Sequence, residues 1–198
     1  ITNESFVRKR GRPHMNTAAE ISRQKVQVPV GKIRNYSEVI EHLDALPEMD
    51  YCPEVLTRMQ ALDKHFGNVS SKLETVLVGG TNGKSSTIHF ASKLLKEEGF
   101  KVGSMYSTHT LTYNERINID FAPIQNKAFT DIVNDVINAA QDLKIAATSF
   151  EILTIASLLY FKQENVDICL LEVGYGGKYD ATNICTPLIA AVTRIAQD

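Results

Sequence analysis

ETVLVGGTNGKSSTIHFASKLLKEEG, residues 74–99, runs a short β-branched segment into a glycine-rich turn and then into a helical segment that stops at Gly99. Glycines let the backbone bend so that successive N–H groups face one concavity, which suits phosphate oxygens. The N-terminus of the following helix adds partial positive charge. Gly80, Thr81, Asn82, Gly83, Lys84, Ser85 and Ser86 are therefore the candidate phosphate-binding residues, with a backbone nest over Gly80–Gly83. Lys84 supplies a full charge for the β- and γ-phosphates, and the hydroxyl of Ser85 or Ser86 can reach Mg²⁺. Val78 stands where the longer GxxxxGK[ST] pattern has its first glycine, so the match is to a shorter form. A glycine turn that merely joins strand to helix is the plain alternative. The order strand, loop, lysine, hydroxyls, helix is what phosphate binding requires, and it favours the phosphate reading.

A second stretch, VDICLLEVGYGGKYDATN (166–183), places Glu172 at the end of an apolar run. Such a run fits a central strand covered on both faces. In open α/β sheets ligands bind beyond the carboxyl ends of the strands, and Mg²⁺ prefers carboxylate and phosphate oxygens. Glu172 is thus the candidate magnesium ligand. Gly174, Gly176 and Gly177 bring backbone close to a ligand, and Asp180 and Asn183 follow. Taken alone, Glu172 would be a surface carboxylate beside a glycine loop.

Around these two stretches the pattern alternates. Helices are expected from Ser37, with Val39, Ile40, Leu43 and Leu46 at helical spacing, and again through Val55, Leu56, Met59 and Leu62. Residues 47–53 form a loop between them. KVGSMYS reads as a strand, residues 127–143 and 149–162 as helices, and PLIAAVTRI as another buried run. The stripe Phe150, Leu153, Ile155 and Leu158 reads as core. Alternating strands and helices imply an α/β fold, a mostly parallel sheet with helices on both faces.

The chain has 198 residues, 43 % hydrophobic and 22 % charged, with net charge −2. That suits one domain with or without an appendage, and no apolar run reaches the ~20 residues of a bilayer span. Cys52, Cys169 and Cys185 form neither a disulfide framework nor a zinc pattern, so a reducing, cytoplasmic setting is expected. Residues 1–14 carry four basic side chains against Glu4, and the rest of the chain is acidic. The RKRGRP run resembles an AT-hook core. Against an acidic body it is better read as a solvated tail, and nucleic acid is not an expected partner. Residues 1–34 are expected to be a largely disordered tail, and 35–198 the folded domain.

GGTNGKSST, YSTHTLTYNERI, ATSFEILTIASLLYF, VDICLLEVGYGGKYDATN and AAVTRIAQD together resemble the ATP-binding domain of folylpolyglutamate and dihydrofolate synthases, members of the Mur ligase superfamily with a P-loop NTPase-like fold. The resemblance covers residues 35–198. It implies ATP and Mg²⁺ as cofactors. It implies an acyl phosphate on a folate or dihydropteroate carboxylate, then attack by the amine of L-glutamate. It makes Lys84 and Glu172 catalytic, adds Thr108 to Ser85 and Glu172 as a metal ligand, and puts Asp50, Thr148, Phe150, Asp180 and Ala181 on the pterin side. It further implies a soluble monomer, and a chain that ends before the domain does and lacks the C-terminal glutamate-binding domain. Three departures stand out: Gly-Lys-Ser-Ser for Gly-Lys-Gly-Ser, Thr108-His109-Thr110 for Ser-Pro-His, and Tyr179 for Leu. A Mur-type cell-wall ligase and a non-catalytic nucleotide-binding module are the competing readings. Asp180-Ala181-Thr182-Asn183 favours the folate type over the first, and Glu172 favours an enzyme over the second. His109 is a polar loop residue or a ligand, His89 is structural, and Glu115-Arg116 is a surface ion pair of little energetic weight.

Overall fold

The structure, a computed structural model, describes residues 31–196. Five α-helices and six strands follow in chain order: α1 (Tyr36–Asp44), α2 (Pro53–His65), β1 (Thr75–Gly79), α3 (Lys84–Glu97), β2 (Val102–Met105), β3 (Ile117–Ile119), β4 (Ala122–Pro123), α4 (Asn126–Asp142), α5 (Ser149–Gln163), β5 (Ile168–Glu172) and β6 (Ile189–Val192). Local chemistry sets several boundaries. Asn35 caps α1 in a box with Glu38, and Thr148 caps α5 in a box with Glu151, each satisfying amides the helix leaves unpaired. Pro53 opens α2 at a position where its missing N–H costs nothing.

The strands form one sheet in the order β4-β3-β2-β5-β1-β6. β2, β5, β1 and β6 are parallel, while β3 and β4 run antiparallel at one edge. Alternation along the strands divides the core in two. Leu77, Met105, Cys169 and Leu171 pack under α1, α2, α4 and α5. Val78, Val102 and Leu170 face the other way and meet Ile88 of α3. Glu172 continues the alternation of Leu170 and so emerges on the α3 side, at the carboxyl end of β5. The stripe Phe150, Leu153, Ile155 and Leu158 is core, as expected. Cys169 is fully buried, and burial pushes its thiol up to about 12.

Two expectations need correction, and one element was missed. The tail boundary at 34 is too late: Arg34 is buried and donates to Asn134 and Asn138 of α4, so the folded body includes it. The rest of the expected tail, with RKRGRP, lies outside the described residues. The PLIAAVTRI run is not covered like β5. β6 is the edge strand beyond β1, and Ile189 and Val192 remain exposed. Finally, the β3–β4 hairpin was not expected from the sequence. Its turn is Asp120-Phe121, both at positive φ (51° and 72°).

Candidate active site

The loop after β1 is built as expected at its C-terminal half and differently at its N-terminal half. Gly83 takes a left-handed conformation (φ 89°) and starts α3. The amides of Lys84, Ser85 and Ser86 then lie in the first helical turn and have no acceptor among the described residues. These are the donors an anion would meet. Thr81 and Asn82 behave otherwise. Both their N–H groups donate to the carbonyl of Arg194, at 2.9 and 3.3 Å. The nest expected over Gly80–Gly83 is therefore displaced toward Gly83–Ser86. Lys84 Nζ donates to the carbonyls of Gly80 (2.8 Å) and Thr81 (3.3 Å), which hold the ammonium across the loop.

Glu172 is 2 % exposed. Its Oε1 accepts from Ser85 Oγ (2.9 Å) and its Oε2 from the Ser107 amide (3.1 Å). It joins no ion pair among the described residues. A buried carboxylate without a cation is costly, and this one shares a hydroxyl with the phosphate loop. The donor set suits a hard divalent cation completed by phosphate oxygens. No cluster of three or more carboxylate, histidine or cysteine ligands exists among the described residues, so a cation here depends on Glu172, the Ser85 hydroxyl and the nucleotide. Thr108, the expected third ligand, is exposed and makes no side-chain hydrogen bond among the described residues. Its neighbour Ser107 is the residue that meets Glu172. The signal for it was its position two residues past the end of β2.

Of the five residues expected on the pterin side, Asp50 is exposed and the other four lie under cover. Thr148, Phe150, Asp180 and Ala181 are all buried. The Ser149 and Phe150 amides donate to Pro47 and Glu48 carbonyls, so the 47–52 loop caps the start of α5. Arg58 ties that loop down: it donates to both oxygens of buried Glu151 and to Asp50 (2.9 Å). The Arg58 guanidinium in turn holds the exposed Asp50 carboxyl below its ordinary range. On the other flank Tyr51 packs edge-on against Tyr175 and Tyr179. Asp180 accepts from the Gly174 and Tyr175 amides and from the Thr182 amide and hydroxyl, which fixes the glycine turn. Burial raises its pKa against those four donors.

Glu115 and Arg116 are not an ion pair. Glu115 accepts three amides, from Thr110, Leu111 and Thr112, and so closes the Thr-His-Thr loop. Arg116 is buried and donates to His109 Nδ1 (2.8 Å) and to Glu48 (3.2 Å). A histidine accepting at Nδ1 is neutral with its proton on Nε2, and burial and Arg116 both lower its pKa. His109 is thus a fixed loop residue packed at a tilt against Tyr113, ring centroids 4.4 Å apart. His89 packs on Phe90 and Phe121. A cleft of about 660 Å³ opens beside the phosphate loop, between Gly80, Thr81, Tyr51, Gly176 and Ala190, on the flank away from Ser85 and Glu172.

Comparison with known proteins agrees with this arrangement. Residues 78–198 match the Mur ligase middle domain. The chain is 36 % identical over 148 residues to the dihydrofolate synthase/folylpolyglutamate synthase of Bacillus subtilis, covering 72 % of this chain and 34 % of that protein. It therefore spans about a third of the length of that relative. The apo folylpolyglutamate synthase of L. casei superposes with a TM-score of 0.78 at 32 % identity, over 83 % of this chain and 41 % of that one. A folylpolyglutamate synthase complex with AMPPCP and folate superposes at 0.75 and 33 % identity, over the same shares. The match over residues 78–198 and the identity to these synthases place the chain: it belongs to the folylpolyglutamate/dihydrofolate synthase family of Mur-type ligases.

Proposed function

We propose that this chain is the nucleotide-binding part of an ATP-dependent ligase that joins L-glutamate to the carboxylate of folate or dihydropteroate, working in the cytoplasm as a monomer. The observation that carries the reading is the Ser85–Glu172 contact at the start of α3. The likeness to the complex with AMPPCP and folate supports the choice of nucleotide and acceptor. Three free thiols among the described residues fit a reducing compartment, and no described helix is long and apolar enough to cross a membrane.

In this reading the γ-phosphoryl group passes from ATP to the substrate carboxylate, giving an acyl phosphate and ADP. The amine of glutamate then displaces phosphate to form the amide. Such transfer depends on positioning and on neutralising charge. The first-turn amides of Lys84, Ser85 and Ser86 donate to the phosphate oxygens, and Lys84 leaves its two carbonyls for them. Glu172 and Ser85 would hold Mg²⁺, which when bound neutralises phosphate charge. Thr148, Phe150, Asp180 and Ala181, with Asp50 on the loop above, form the pterin side. The pterin reaches them when the 47–52 loop lifts from α5.

Glu172→Gln keeps size and removes charge, so it tests the metal assignment. In the full-length ligase turnover should fall ~10²–10³-fold, and the magnesium dependence of ATP binding should weaken in the 198-residue chain. Unchanged ATP affinity at limiting magnesium in the variant removes Glu172 from the site.

A further inference from the structure

We infer that Thr81 and Thr193 are positioning residues that shape the phosphate loop through a strap formed by residues 193–196. The inference rests on the nucleotide reading above and deepens it. Where β6 ends, the chain turns back across the loop and is joined to it by six hydrogen bonds. The Thr193 amide and hydroxyl both donate to the Gly79 carbonyl, at 2.9 and 3.1 Å. The Arg194 carbonyl accepts from the Thr81 and Asn82 amides, at 2.9 and 3.3 Å. The Thr81 hydroxyl donates to the Ala196 carbonyl (3.2 Å) and accepts from the Ala196 amide (3.1 Å).

Two consequences follow for the loop. Thr81, whose hydroxyl and amide are both spent on the strap, does not bind phosphate. It fixes the turn from which Gly83 swings into α3. Gly80 also changes role. It sits at φ 125°, and a Cβ there would lie 2.2 Å from Thr193 Oγ1 and 3.1 Å from the Thr193 amide. The glycine is needed for the approach of the strap. Gly83 has open space around its missing Cβ, so only its backbone conformation is demanded.

The shape of the loop therefore depends on a segment more than a hundred residues away in sequence, and binding and strap are coupled. Whatever orders one orders the other, and the coupling is reciprocal. Neither Thr193 nor Ala196 is near the first-turn amides by chain position, yet both should respond to nucleotide.

The test is ATP–Mg²⁺ titration of the 198-residue chain by calorimetry, with amide exchange followed by mass spectrometry. Thr81→Val keeps the branched shape and removes both hydroxyl bonds. ATP affinity should fall about tenfold, with the melting temperature of the unliganded chain little moved, and Thr81→Ser should restore it. In the wild type ATP should slow exchange over 193–196. Equal affinity in wild type and Thr81→Val, or exchange over 193–196 indifferent to ATP, overturns the strap and leaves the nucleotide reading standing. A wild-type chain that binds no ATP overturns the nucleotide reading itself, and the strap's role falls with it. If Thr81→Val does not fold, Thr193→Val against Thr193→Ser makes the same comparison, with the same two outcomes.

Discussion

Lys84 shows how one side chain is prepared for its partner. Its ammonium rests on two loop carbonyls and exchanges them for phosphate oxygens when nucleotide binds. Removing it deletes a charge-assisted contact, a class worth about 1.5–3 kcal/mol. Lys84→Ala should therefore weaken ATP binding at least about tenfold in a calorimetric titration. His42 gives a pH prediction far from the site. Burial and the cations Arg34 and Lys32 lower its pKa, so as pH falls the unfolded chain takes up the proton first. Stability is thus present above the ordinary histidine range and declines as pH drops through it. His42→Gln should flatten denaturation midpoints measured between about pH 7 and 5. At this scale the sequence was most legible where partners are reached through a motif. Ser85 and Glu172 were readable because one follows a glycine turn and the other ends an apolar strand. The diversion of Thr81 and Asn82 to Arg194 was not readable, since nothing local to GGTNGK announces an acceptor at the far end of the chain.

The elements carry their own tests. Arg58 of α2 is what neutralises Glu151 inside α5, with N–O distances of 2.6–3.2 Å. Arg58→Ala strands that carboxylate in the core and should cost about 3–5 kcal/mol in chemical denaturation. It also frees Asp50 and the 47–52 loop above the start of α5. Gly103 of β2 packs against the Phe161 ring of α5, 2.8 Å from where a Cβ would stand. Gly103→Ala should overpack this contact and cost about 1–3 kcal/mol, read as a lowered melting temperature. All five helices and the four parallel strands could be read from periodicity and flanking turn residues. β3 and β4 could not. They span three and two residues, and their turn uses Asp120-Phe121 in place of the Asn-Gly or Asp-Gly that normally signals such a hairpin. The exposure of β6 was hidden for a different reason: composition shows that a strand is apolar, and only the neighbours present decide whether it is covered.

For the molecule as a whole, ligand and fold are linked. ATP that binds the folded chain alone stabilises it by about 2.7 kcal/mol at a concentration one hundred times Kd. For a body of this size that is a rise of about 5–10 °C in melting temperature, and the Lys84→Ala variant should show a much smaller rise at the same concentration. The sheet order has a consequence in time as well. β1 lies between β5 and β6, which are the last two strands in the chain. The phosphate loop therefore leaves the ribosome roughly 90 residues before either neighbour of its strand exists, a delay of about 5–18 s at ordinary rates of synthesis. Through that interval GGTNGKSS has no Glu172 to meet and no Arg194 to hold it. The nascent chain carries the motif in full and cannot yet use it, so nucleotide binding should arise late and all at once as β5 and β6 close on β1.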